Sequence, residues 1–138
     1  MTRKESRAEV LSLLFETEFH DGETPEQIID RAIEIRDLED NQYIRETYFG
    51  IMEKRVFVDE KIETFSHGWK KERISPVSRA IMRLAIYEMY FRDDVPDNVA
   101  VNEAVELVKI YDDADKVKAF VNGILNSVLQ AKKTEVAE

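Results

Sequence analysis

Between Arg73 and Leu129 the chain reads RISPVSRAIMRLAIYEMYFRDDVP, then NVAVNEAVELVKIY, then KAFVNGILNSVL. Three apolar stripes follow one another there, each at helical spacing. Val77, Ala80, Ile81, Leu84 and Phe91 share one face of the first. Val101, Ala104, Val105, Val108 and Tyr111 line the second, and Phe120, Val121, Ile124, Leu125 and Val128 the third. Apolar residues three and four apart form one face of an α-helix, and a helix with one apolar face must bury it against another element. Ser75-Pro76 opens the first of these helices, because serine caps and proline suits the first helical position. Pro96 closes the linker, and Asp97 or Asn98 is the expected cap of the second. Asp113 or Asp115 is the expected cap of the third.

The preceding half reads the same way. Ala8, Leu11, Phe15 and Phe19 place a helix over about Lys4 to Phe19, ended by Asp21-Gly22. Thr24, Pro25 and Gln27 form a capping-box pattern that starts a second helix running to about Arg36. A third starts near Asp40 with Tyr43, Ile44, Thr47, Tyr48 and Ile51 inward. A fourth covers about Val58 to Ser66, with a turn near Arg55 or a merger with the third both open. No strand pattern of useful length, repeat or low-complexity tract competes. The expected fold is therefore all-α, about seven helices in two packed sub-bundles within a single domain. These would span approximately 1–66 and 67–138, with the break between Ser66 and Ile74. Short connections make sequential helices neighbours.

The 138 residues contain no cysteine, which removes disulfide scaffolds, thiolate metal sites and cysteine nucleophiles. No apolar run approaches the roughly 20 residues that cross a bilayer, and MTRKESRAEV is not a secretory signal, so no membrane partner and a cytoplasmic location are expected. His20 and His67 lack partners at ligand or nucleophile spacing. Glycines at 22, 50, 68 and 123 cannot form a phosphate loop, so neither catalysis nor a cofactor is expected.

Charge is distributed unevenly. The net charge is −9, yet Glu16 to Gln42 holds ten acids against two basic residues, while Trp69 to Arg92 holds six basic residues against two acids. The first seven residues add Arg3, Lys4 and Arg7. A polyanion would meet these basic regions rather than the whole surface. Arg79 and Arg83 are four apart and share a helix face. Lys70, Lys71 and Arg73 precede them, and Lys116 and Lys118 precede Phe120. Cations beside aromatics are what single-stranded RNA needs, phosphates being neutralised and bases stacked. Phe15 and Phe120 read equally as core residues or as stacking platforms. Trp69 reads better as a plug between sub-bundles. Glu88 falls on the apolar stripe of its helix, where a carboxylate needs a hydrogen-bonding partner. The expected partner is the start of a neighbouring helix, with its unpaired N–H groups.

RISPVSRAIMRLAIYEM, NVAVNEAVELVK and FVNGIL together resemble the NusB family of transcription antitermination factors, and SRAEVLSLLFETEF is similar to its arginine-led first helix. The resemblance implies an all-α, non-enzymatic protein. It implies binding to boxA RNA of ribosomal RNA leader transcripts, with ribosomal protein NusE as partner, within an RNA polymerase antitermination complex. Carried onto matching positions, it implies RNA contacts at Arg3, Lys4, Arg7, Phe15, Arg79, Arg83, Lys116 and Phe120. The alternative is a helical protein–protein adaptor with little RNA binding, which the sparse basic arm and the net charge motivate.

Overall fold

The computed structural model describes residues 1–66, 74–112 and 115–137. They form seven helices: α1 Arg3–Glu18, α2 Pro25–Arg36, α3 Gln42–Glu53, α4 Arg55–Phe65, α5 Pro76–Phe91, α6 Asp97–Tyr111 and α7 Asp115–Ala137. No strand occurs among the described residues, and none of these helices is long and apolar enough to cross a membrane. The expected break between sub-bundles, with His67, Gly68, Trp69, Lys70, Lys71 and Arg73, lies outside the described residues apart from its edges. So does Asp113.

Local chemistry sets most helix starts. Thr2 with Glu5 and Thr24 with Gln27 each complete a reciprocal capping box, Pro25 taking the first turn of α2. Asn41 caps α3 by accepting from the Ile44 N–H at 3.2 Å. Ser75 caps α5 by accepting from the Ser78 N–H at 3.1 Å. Such caps contribute about 1 kcal/mol each. Two starts differ from expectation. Helix α4 begins at Arg55, because the single residue Lys54 suffices to break it from α3. Pro96 occupies the N-cap of α6, where it has no side chain to accept a bond. Asp97 falls in the first turn of α6 instead and accepts from the Lys132 ammonium at 2.8 Å. The same ammonium donates to the Met89 carbonyl at 2.6 Å, so one lysine of α7 ties down α5 and α6.

Helix α5 is the axle. It packs against α1, α3, α4, α6 and α7, while α2 leans on α1. Its apolar stripe is accordingly wide: Ala80, Ile81, Met82, Leu84, Ala85, Ile86 and Met89 are all buried. These join Val10, Leu13 and Leu14 of α1, Ile44, Tyr48 and Ile51 of α3, and Val121, Ile124 and Val128 of α7 in one core cluster. Burying a side chain of this kind contributes about 1.5–3 kcal/mol. Helices α1 and α5 run antiparallel, since Arg3 meets Asp94, Arg7 meets Glu88 and Phe15 shares a cleft with Val77.

Stripe ends behave differently from stripe centres. Phe19 and Tyr111, expected inside, are exposed, Phe19 by 61%. Both sit in or beyond the last turn of their helices. Phe19 packs instead on Phe15, with ring centroids 4.8 Å apart.

Candidate nucleic-acid interface

The eight cations and aromatics singled out in the sequence divide into three groups. Two arginines are enclosed. Arg7 on α1 is 7% exposed and Glu88 on α5 is 1% exposed. The Arg7 Nε donates to Glu88 Oε1 at 3.0 Å, and Nη2 donates to Oε2 at 3.1 Å. The Arg7 Nε also reaches Oε2 at 3.2 Å, and the Tyr43 hydroxyl of α3 adds a fourth bond, to Oε2 at 3.2 Å. Burial works against the charge of Arg7, but the hydrogen bonds and charge of Glu88 outweigh it and hold the guanidinium pKa above its ordinary value. Burial likewise pushes the Tyr43 phenol well up, with the Glu88 carboxylate adding to the effect. The partner of Glu88 is thus a guanidinium and a phenol, not the start of a helix. Three helices each supply one member, which lets the carboxylate sit inside the packing.

Arg83 is enclosed in the same manner. Its Nε and Nη2 donate to the two Asp59 oxygens of α4 at 2.7 and 3.0 Å, and its Nη1 donates to Glu18 of α1 at 2.6 Å. The guanidinium therefore staples α1, α4 and α5. Neither Arg7 nor Arg83 belongs to a surface strip. To meet a phosphate, either would first have to leave carboxylates that already satisfy it.

The second group lines three clefts. Phe15 lines an apolar cleft of about 370 Å³ with Leu11, Ser12, Glu16, Val77 and Tyr111. Arg79, two residues beyond Val77, lines a cleft with Ile62, Glu63, Ser66, Ile74 and Arg83. Lys116 and Phe120, one turn apart on α7, line a third cleft with Phe65, Gly123, Ile124 and Ser127. These last two clefts share the C-terminal end of α4, Ser66 bordering one and Phe65 the other. Phe120 is half-buried against the core. Phe15 is more exposed than buried residues of its stripe. Lys116 is exposed and makes no ion pair among the described residues. The neighbouring Lys118 is paired with Asp115 at 3.3 Å.

The third group, Arg3 and Lys4, lies at the opposite end of the α1–α5 pair. Arg3 and Phe15 are twelve residues apart on one helix, hence about 18 Å along its axis. Arg3 stacks on the Tyr43 ring, 4.2 Å from its centroid, and reaches Asp94 at 3.3 Å. Arg92 approaches the same ring at 4.9 Å and donates to both Asp94 oxygens at 3.0 Å. The hydrogen bonds from Arg92 hold the Asp94 carboxyl down at about 2, with the Arg3 charge reinforcing the shift. Lys4 is exposed.

Sequence reasoning did not reach Val77 and Tyr111 as cleft-mates of Phe15, or Tyr43 as the platform under Arg3. The helical period assigned all three to the interior and carried no signal of their second role. No cluster of metal-ligating side chains occurs among the described residues, and His20 is an exposed residue 3.9 Å from Glu23.

The structure is an all-helical scaffold that presents aromatic clefts and scattered cations. Its family follows from comparison. The NusB family model matches residues 4–130, and the chain belongs to the NusB family. Transcription antitermination protein NusB of Acetivibrio thermocellus is 43% identical over 134 residues, covering 96% of this chain and 91% of that protein. The structure of T. maritima NusB aligns with a TM-score of 0.83 at 32% identity, covering 94% of this chain and 92% of that one. A chain in the crystal structure of antitermination factors NusB and NusE in complex with dsRNA shares the fold, with a TM-score of 0.79 at 24% identity over 94% of this chain and 96% of that one.

Proposed function

We propose that this chain is an RNA-binding transcription antitermination factor of the cytoplasm. In this reading it holds boxA-type leader RNA of ribosomal RNA operons together with ribosomal protein NusE, within an RNA polymerase antitermination complex. It acts by positioning its partners, not by catalysis. Membership of the NusB family along nearly the whole chain supports the class of activity. Within the molecule, the reading is supported by Phe15, Arg79, Lys116 and Phe120 each lining a cleft, the clefts of Arg79 and of Lys116 and Phe120 meeting at the C-terminal end of α4. Phe15 there gives bases a surface to stack on, and the exposed Lys116 neutralises phosphate. Arg3 and Lys4 add positive charge at the far end of α1, apart from these clefts. Arg7 and Arg83 fix α1 and α4 against α5.

Fluorescence anisotropy with boxA RNA and with a scrambled RNA of equal length, with and without NusE, tests the reading across a salt series. Four surface cations give a log–log salt slope of about −3, at about −0.7 per phosphate on single strands. Preference for boxA over the scrambled RNA is expected, strengthened by NusE. Equal binding of the two RNAs at low salt would contradict it.

A second reading, a helical protein–protein adaptor with little RNA binding, is favoured by the enclosure of Arg7 and Arg83, which removes two cations from the surface of a chain of net charge −9. It predicts that Arg79→Ala and Lys116→Ala leave partner binding unchanged.

A further inference from the structure

Where α3 crosses the C-terminal half of α5, the surface opens into a shallow groove of about 610 Å³ lined by Phe49, Gly50, Tyr87 and Phe91 with Glu46, Glu53, Arg92, Asp93 and Asp94. Its floor is apolar and aromatic. Phe91 is 39% exposed although it packs on Tyr87 at 5.3 Å and on Phe57 at 5.4 Å, so its ring is fixed in place while one side faces water. Gly50 makes the floor possible. A Cβ there would stand 2.0 Å from the Tyr87 hydroxyl, so only glycine lets that ring lie against α3. The Tyr87 hydroxyl bonds to no described residue, which leaves a hydrogen-bonding group at the groove surface.

The rim is acidic. Four carboxylates face one lining cation, Arg92, and that guanidinium is already committed to Asp94 and Glu46. Glu53 and Asp93 have no ion-pair or hydrogen-bond partner among the described residues. The nearby Lys54 lies 5.5 Å from the Phe91 ring centroid. A rigid aromatic floor flanked by uncompensated negative charge is complementary to a polypeptide that carries an apolar anchor between basic side chains. It is repulsive to a nucleic-acid backbone. We infer that the α3–α5 groove is a docking surface for an arginine- or lysine-rich protein segment that inserts an apolar side chain against Phe91 and Tyr87. This inference does not rest on the RNA reading: the groove lies about one helix length from the clefts of Phe15 and Arg79, although Asp94 links its border to Arg3.

The probe is a short synthetic peptide of alternating arginine and leucine, compared with glutamate–leucine and arginine–serine versions. Titrated into the isotope-labelled full chain, the arginine–leucine peptide is expected to shift amide signals between Glu46 and Glu53 and between Tyr87 and Asp94, with the other two peptides binding at least about tenfold more weakly. Charge reversal at two rim sites, Glu53→Lys with Asp93→Lys, is expected to cost at least about tenfold in peptide affinity while leaving the circular dichroism spectrum and boxA binding intact. Phe91→Ala supplies a second test of the anchor. Shifts centred elsewhere, equal binding of the arginine–serine peptide, or unchanged affinity in the charge-reversed variant would each overturn the inference. Loss of boxA binding in wild-type protein would strike the RNA reading alone.

Discussion

Arg83 and Arg79 are one turn apart on α5, and both come from the same sequence signature, yet only Arg83 is buried. Arg83 is clasped by Asp59 and Glu18 from two other helices, while Arg79 lines a cleft at the helix start. The pair formed by Arg7 and Lys4 on α1 repeats the contrast: one is sealed against Glu88 and the other is exposed. The cations thus include an inner set, Arg7 and Arg83, that holds helices together and an outer set, Lys4 and Lys116, that faces solvent. A mutation that abolishes function at the first kind of site acts through folding, and at the second kind through contact.

The largest effect that would sharpen this contrast is at Glu88. Glu88→Ala leaves the Arg7 charge buried without its partner and the Tyr43 hydroxyl without its acceptor, and is expected to cost about 3–5 kcal/mol in urea unfolding. A loss no larger than that of a surface substitution would remove Arg7 from the inner set. Arg83→Ala frees Glu18 and Asp59, which are partly solvated, and is expected to cost less, about 1–3 kcal/mol by the same measurement. Phe15→Ala belongs to the outer set: boxA affinity should fall by about 1–3 kcal/mol, as for removal of one stacking platform, with little change in melting temperature. A large drop in melting temperature would assign Phe15 to the core instead.

The smallest effect concerns Asp94, which joins Arg3 to Arg92. Its folded pKa lies below the unfolded value, so its contribution to stability is fully present above about pH 4 and is lost as pH falls toward about 2. The carboxyl-carbon shift of Asp94, followed by NMR, should therefore titrate well below those of ordinary aspartates, and Arg92→Ala should return it upward. An unchanged midpoint in that variant would break the assigned cause.

Much of this molecule was legible in its sequence. Thr24-Pro25-Gln27 and Ser75-Pro76 marked helix starts because capping is a local event, decided within four residues. The all-helical architecture followed from apolar spacing of the same short range. The anomaly at Glu88 was visible too, as a carboxylate on an apolar stripe, but its partners were not: Arg7 lies 81 residues away and Tyr43 lies 45 away. No spacing rule reaches that far. For the same reason the pattern could not show that Arg83 meets acids on two other helices. Phe19 and Tyr111 escaped because periodicity tells which side of a helix is apolar, not how far along it the neighbours extend. The α3–α5 groove left one trace, a glycine inside a helix between Phe49 and Ile51, whose meaning depends on a tyrosine 37 positions later.

The most direct test of the inner and outer division is the salt dependence of boxA binding, measured by anisotropy for the wild-type chain and for Lys4→Ala with Lys116→Ala, with melting temperature recorded for both. The account predicts an unchanged melting temperature, weaker binding and a log–log slope shallower by about 1.4, two phosphate contacts being lost. An unaltered slope and affinity would contradict it.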